Sequence, residues 1–193
     1  GYEIDQKVQQ GIISSARSPQ EISAYLEYLY SPFLRPFAWA ALGRFATGVT
    51  IVTTLDGDGR PVGLTANSFN SVSLDPPMVL WSLARTSRNL AIFERATHYA
   101  INVLASDQRA LSDRFARPVE NRFAGVDWRA GLGGVPVLDG VTAVFECSHA
   151  TRVQGGDHIV FLGQVEAFDA RDREPLLYHG GRYATPCYAP ALP

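Results

Sequence analysis

Val49-Thr50-Ile51-Val52-Thr53-Thr54, followed by Asp56-Gly57-Asp58-Gly59 and then by Pro61 to Ala66, leaves little choice of local structure. β-Branched side chains suit a pleated sheet and crowd a helix, and an Asp/Gly run gives the backbone the freedom of a tight turn. The reading is strand, turn, strand. Similar signals recur along the chain. Ser71 to Leu74 extends the sheet before Asp75-Pro76-Pro77 breaks it, and the nearly continuous apolar run Met78 to Leu83 fits a buried strand. Tyr99 to Leu104 is the next strand. Val141, Ala143, Phe145 and Cys147 alternate with Thr142, Val144, Glu146 and Ser148, predicting a strand with one strongly apolar face. Gly155-Gly156 signals a hairpin, and the return strand, His158 to Phe168, puts Ile159, Phe161, Val165 and Ala167 on one side. That turn pairs 158 near 153 and 149 near 162, so His149 and His158 are not neighbours and no two-histidine metal seat is expected.

Helical patterns are few. Phe37 to Leu42 is one, and Ser106 to Phe115 another. Thr86-Ser87 is placed to cap a helix running to about Arg95 with Leu90, Phe93 and Ala91 inward. The segment from Phe115 to Pro136 reads as a long loop with Gly131, Gly133, Gly134 and a short turn of helix. Many strands with short helices between them predict a mainly β fold, an antiparallel or mixed barrel with peripheral helices rather than a doubly wound sheet.

The chain has 193 residues, 46% hydrophobic and 19% charged, enough apolar material for one real core and no second full domain. Residues 1–36 read as an N-terminal helical extension to a domain at 37–193. Ser18-Pro19-Gln20-Glu21 combines an N-cap, a first-turn proline and a capping-box glutamate, and Ile22, Tyr25, Leu26 and Leu29 follow at helical spacing, ending near Ser31-Pro32. That stripe is expected to pack on the parent domain or on a second subunit. Gly1 reads as a processed or trimmed start. A formal charge of -2 argues against nucleic acid as a partner. Apolar stretches are broken well short of the ~20 residues of a spanning helix, so no membrane is expected. Cys147 and Cys187 form no framework or CxxC pattern and read as free thiols of a cytoplasmic protein.

Three segments carry candidate chemistry. Thr65-Ala66-Asn67-Ser68-Phe69-Asn70-Ser71 concentrates short donors and acceptors of the kind a phosphate or polyol needs, and equally of the kind an Asx- and Ser/Thr-rich turn needs. Thr86-Ser87-Arg88-Asn89 reads as a helix start whose free N–H groups, dipole and Arg88 make an anion seat; capping alone explains the hydroxyls but not a cation in the first turn. In Gly155-Gly156-Asp157-His158 a glycine tip lets another molecule approach and an imidazole can donate or stack, although a plain turn residue would also serve. Gly131-Leu132-Gly133-Gly134 is not a dinucleotide fingerprint, and no Walker, HExxH or GxSxG element occurs.

Together, Phe45 to Thr54, Gly63-Leu64-Thr65-Ala66-Asn67-Ser68-Phe69, Ser71-Val72-Ser73-Leu74-Asp75-Pro76-Pro77, Asn102-Val103-Leu104 and Gly156-Asp157-His158 resemble the short-chain flavin reductase family over about residues 37 to 184. The resemblance implies an FMN-binding split β-barrel, usually a homodimer, in which NADH or NADPH reduces FMN or FAD, and whose reduced flavin feeds a flavin-dependent monooxygenase. By the same resemblance Thr65, Ala66, Asn67 and Ser68 would hold the ribityl chain and ring edge, with Ser71 closing that segment. Ser82 and Leu83 would line the flavin slot, and Ser87 with Arg88 would take the phosphate. His158, after Gly156 and Asp157, would face the nicotinamide as an orienting group, and Phe115 and Tyr183 would border the site. Arg152, Arg171 and Arg173 are candidates for a 2′-phosphate. Relatives of this fold also include cobalt-corrinoid reductases and non-catalytic flavin- or haem-binding modules, which are the competing expectations.

Overall fold

The structure is a computed structural model in which residues 40–189 are described. They fall into two units divided between Phe45 and Ala46. In the first, residues 40–42 are helical, where a helical pattern was expected. The expected boundary at 36/37 and the helix from Ser18 lie outside the described residues.

The second unit runs through β1 (Thr47–Gly48), β2 (Thr50–Leu55), β3 (Pro61–Ala66), β4 (Asn70–Leu74), β5 (Pro77–Ala84), α1 (Leu90–Arg95), β6 (His98–Val103), α2 (Arg109–Ala116), β7 (Trp128–Ala130), β8 (Pro136–Leu138), β9 (Ala143–Gly155), β10 (His158–Ala170), β11 (Leu177–His179) and β12 (Arg182–Ala184). Seven strands form one sheet in the order β3-β2-β6-β9-β10-β5-β4, antiparallel throughout. β1, β11 and β12 form a second sheet, and β7 pairs with β8.

Chain connectivity forces the large sheet to curl. β3 and β4 are its two edges, yet only residues 67–69 join them. Four Cα steps reach at most about 14 Å, whereas seven flat strands would set the edges about 29 Å apart. The sheet therefore wraps into a barrel that stays unclosed, and Ser68 bridges the gap. Its Oγ accepts the Ser82 N–H at 2.9 Å and donates to the Ser82 carbonyl at 3.2 Å. This is the split barrel that the resemblance implied.

Period-two alternation sorts side chains onto two cores, one on each face of the sheet. Val52, Ile101 and Cys147 join Trp81, Phe93, Tyr99 and Phe161 in one; Ile51, Ala100 and Val144 join Phe115, Val135, Val137 and Leu138 in the other. Trp81 stacks on Phe161 at 4.7 Å and meets Phe93 edge-on at 5.0 Å. Asn102, fully buried, donates to the Ile51 carbonyl and Thr53 Oγ1 and accepts the Leu138 N–H at 2.9 Å, so it holds β8 against the sheet.

Several local expectations change. α1 starts at Leu90 with Asn89 as N-cap, not at Thr86-Ser87, and Ala91 is exposed while Phe93 is buried. β9 does not have one apolar face: Val144 and Glu146 are buried opposite Phe145 and Cys147, because the second core covers that side. The hairpin turns at Gly156-Asp157, with His158 opposite Gly155 and Gly163 opposite His149. Gly156 has φ 65°, a conformation glycine adopts without the Cβ penalty. Bulges at Leu162/Gly163 and Val165/Ala167 shift the register, so Ala167 becomes exposed. The long loop hides the β7–β8 pair.

Candidate functional site

Where the barrel stays open lies a cleft of about 810 Å³. It is lined by β3 and the residues after it, the end of β5, the turn before α1, the end of α2 with residues 118–123, and His158 at the start of β10. Thr65, Ala66, Asn67, Ser68, Ser82, Leu83, Ser87, Arg88, Phe115 and His158 all line it, so segments up to 93 positions apart (65 to 158) converge on one cleft.

The strand-borne hydroxyls are already engaged. Thr65 Oγ1 donates to the Ser112 carbonyl at 2.7 Å, and Ser68 is committed to Ser82. Both retain lone pairs that can accept, and Asn67 is exposed with its side-chain amide unpartnered among the described residues. Leu83 and Phe115, buried, give the cleft an apolar floor. A Cβ on Gly63 would stand 2.8 Å from Phe115 Cε1, so glycine lets the strand close onto α2 there.

The anion seat is not a helix start. Ser87 lies in a turn: its N–H donates to the Ala84 carbonyl, its carbonyl accepts the Leu90 N–H, and its Oγ accepts the Asn89 N–H at 3.3 Å. Arg88 is exposed on the cleft with no carboxylate within ion-pair distance among the described residues. What remains of the seat is a free guanidinium. His158 reaches the cleft with its Nδ1 2.8 Å from Asp157 Oδ1.

Ser71, Gly156, Asp157 and Tyr183 do not line the cleft. Ser71 is exposed on β4 opposite Val79, and Gly156 and Asp157 form the exposed hairpin tip. Tyr183 acts from behind. Its hydroxyl is 2.9 Å from Ser112 Oγ and donates to Asp113 Oδ1 at 2.9 Å, and Ser112 is the residue whose carbonyl takes the Thr65 hydroxyl. Burial pushes the Tyr183 phenol up.

The cleft also contains residues that sequence reading passed over, chiefly Asn89, Arg122 and Phe123. Phe123 meets Phe115 edge-on at 5.0 Å. Arg122 donates through Nε and Nη2 to the Arg117 carbonyl at 3.0 and 2.7 Å and through Nη1 to the Gly63 carbonyl at 3.3 Å. Burial lowers its pKa. The alternation and capping patterns that marked the other segments are missing around 122.

Away from the cleft, Arg152 lies 4.0 Å from Glu94, Arg171 3.6 Å from Asp169, and Arg173 2.5 Å from Asp107. None of the three lines the cleft. Among the described residues no group of three or more His, Cys, Asp or Glu could hold a metal ion, and no helix is long and apolar enough to cross a membrane. Cys147 is buried, which pushes its thiol up to about 12, so it is no nucleophile near neutral pH.

Apolar lining residues, small hydroxyl and amide groups and a free guanidinium in one cleft fit a ring, a polyol chain and a phosphate, the three parts of a flavin nucleotide. The family described as Flavin reductase like domain matches residues 42–186. Over 146 residues (76% of the chain) the sequence is 51% identical to a protein of Rhizobium meliloti (strain 1021) named "Probable flavin reductase", covering 47% of that protein. It is 48% identical over 143 residues to the FMN reductase (NADH) SmoA of Agrobacterium fabrum, covering 74% of this chain and 81% of that one. The solved Streptomyces globisporus NADH:FAD oxidoreductase SgcE6, in complex with NAD and FAD fragments, superposes with a TM-score of 0.76 at 36% identity, covering 83% of this chain and 96% of that chain. The chain spans about half the length of the Rhizobium relative.

Proposed function

The chain belongs to the family of flavin reductase like domains, and from that premise we propose that it is an NAD(P)H-dependent flavin oxidoreductase taking FMN or FAD. The observation that carries the reading is the convergence of Asn67, Leu83, Arg88, Phe115 and His158 on one open cleft.

Hydride acceptance from the nicotinamide is the chemistry a bound flavin supplies. The chain's own work is placement. Leu83 and Phe115 offer apolar surface to a ring system, and the backbone around Ala66 and Asn67 with the Asn67 amide offers hydrogen bonds to its edge and to the polyol. Ser87 and Arg88 meet the phosphate. His158, held by Asp157, would face the nicotinamide and orient it, with its imidazole available to the carboxamide. No acid or base is needed for the transfer, whose demand on the chain is placement.

Relatives named as reductase components, such as the flavin-dependent trigonelline monooxygenase, reductase component of Acinetobacter baylyi, support a partner oxygenase that receives the reduced flavin. A homodimer is part of the same reading: β4 is an edge strand with Val72 and Leu74 exposed, a surface a second copy would cover. Two free cysteines suit a cytoplasmic setting.

Steady-state oxidation of NADH and NADPH with FMN, FAD and riboflavin in turn tests the proposal. Flavin-dependent oxidation well above the uncatalysed rate is expected; none with either FMN or FAD would defeat it. His158→Ala should raise KM for the nicotinamide or slow flavin reduction, on the order of 1 to 3 kcal/mol in transition-state stabilisation, with flavin affinity unchanged.

A further inference from the structure

Among the described residues, Arg122 is the arginine that is not exposed. Arg60, Arg109, Arg129, Arg152, Arg171 and Arg173 each have a carboxylate within 4.0 Å, and Arg122 has none among the described residues. A half-buried cation without a counter-ion costs free energy that two carbonyl contacts only partly offset. A guanidinium carries five N–H groups. The contacts to the Arg117 and Gly63 carbonyls use one on each nitrogen, leaving one free on each terminal nitrogen. Free N–H groups on a guanidinium are what a charge-assisted phosphate contact needs.

The position fits as well. Arg122 is tied to Gly63 of β3, one edge strand of the opening, while Arg88 follows β5, and both line the cleft. Phe123 on Phe115 anchors the loop that carries Arg122. Glu120, two positions away and exposed, also lines the cleft; its carboxylate sits in solvent, where it is screened.

We propose that Arg122 is a second phosphate-binding residue of the cleft, in addition to Arg88, taking a phosphate of a nucleotide substrate. This rests on the nucleotide reading of the cleft above. The phosphate has two possible sources with one chemistry, the flavin nucleotide or the nicotinamide dinucleotide. Arg122 is the cleft-lining alternative to Arg152, Arg171 and Arg173, which are paired elsewhere.

The test is binding to the full chain, by flavin fluorescence for riboflavin, FMN and FAD and by calorimetry for NAD⁺ and NADP⁺, with wild type, Arg122→Gln and Arg122→Lys. Arg122→Gln should leave riboflavin affinity within about twofold and weaken at least one phosphate-bearing ligand by about tenfold to a hundredfold, the range of a charge-assisted hydrogen bond. Arg122→Lys should recover part of the loss. Weakening of FAD, or of FMN and FAD, names the flavin as the source; weakening of NAD⁺ or NADP⁺ alone names the nicotinamide. Equal weakening of riboflavin and the nucleotides, or a lowered melting temperature with no selective loss, makes Arg122 a latch on the Gly63 carbonyl and overturns the inference. If Arg122→Gln does not fold, Arg122→Lys decides: affinities for every nucleotide unchanged relative to riboflavin overturn it. A wild-type protein that binds no flavin defeats the parent reading and this one together, whereas flavin binding indifferent to Arg122 defeats only this one.

Discussion

On the strand side of the cleft the polar groups are committed to the fold, Thr65 to Ser112 and Ser68 to Ser82, whereas on the loop side Arg122 keeps part of its guanidinium free. The strand wall is tied by side chains that bond to α2 and to β5. The loop wall is held by Phe123 against Phe115 and Trp128, by Arg114 on the Ala124 carbonyl and by Arg122 itself. A wall of the first kind fixes the shape of a slot, and one of the second kind contributes charge and can adjust to what enters. Shape should therefore govern all flavins alike, and charge should discriminate among them.

Phe115 is where the walls meet, under Gly63 of β3 and against Phe123 of the loop, and it offers the harshest way to break the contrast. It is 1% exposed. Phe115→Ala should cost about 3 to 5 kcal/mol of stability, read by chemical denaturation, and should weaken riboflavin, FMN and FAD together. Full retention of flavin affinity in the folded variant would mean the two walls do not depend on each other.

Arg88→Ala should act on charge alone. A charge-assisted phosphate contact is worth about 1.5 to 3 kcal/mol, so FMN and FAD should lose affinity while riboflavin keeps it. Equal losses for all three would make Arg88 a part of the slot's shape. Ser68→Ala is its counterpart on the strand wall. It strands the half-buried Ser82 N–H and loosens the bridge across the opening, with an expected loss of about 1 kcal/mol in stability. Riboflavin and the nucleotides should weaken in parallel, and selective loss of the phosphate-bearing flavins would contradict the assignment of Ser68 to shape.

The same contrast explains what could be read in the sequence. Strand residues announce themselves: Thr50 to Leu55, the Asp56–Arg60 turn and Pro61–Ala66 lie where β-branching and Asp/Gly chemistry put them. The polar run after them was visible as polar, but not which hydroxyls it commits internally, because Ser112 and Ser82 are distant in sequence. β7 and β8 were missed since neither alternates: one is wholly exposed and the other wholly buried. The hairpin register slipped because the turn sits at Gly156-Asp157 rather than Gly155-Gly156, and a bulge at Leu162/Gly163, which leaves no mark in a run of apolar residues, shifts it again. Helix α1 starts later than its Ser/Thr signal, as Ser87 turns its hydroxyl to the Asn89 N–H outside the helix. Arg122 gave no signal at all, for its meaning lies in a bond to Gly63, 59 positions away.

The smallest expected effect separates the support behind the strand wall from the loop. His149 on β9 packs edge-on against Phe161 at 5.8 Å, and Phe161 stacks on Trp81, the residue before Ser82 and Leu83 of the cleft. Its Nδ1 is buried without a partner among the described residues, and burial, with Arg152 nearby, holds its pKa below the usual 6.5. The unfolded chain thus binds a proton there more readily than the folded one. Any stability this difference gives is fully present above the unfolded pKa and falls as pH drops below about 6.5 toward the folded value. His149→Gln should flatten that part of the stability-versus-pH curve, measured by denaturation between pH 5 and 8. The ratio of riboflavin to FMN affinity should not move, because the loop and its guanidinium lie outside this packing chain. A pH dependence that survives His149→Gln would place the titrating group elsewhere, and a change in that ratio would show that the sheet behind the slot does reach the charged wall.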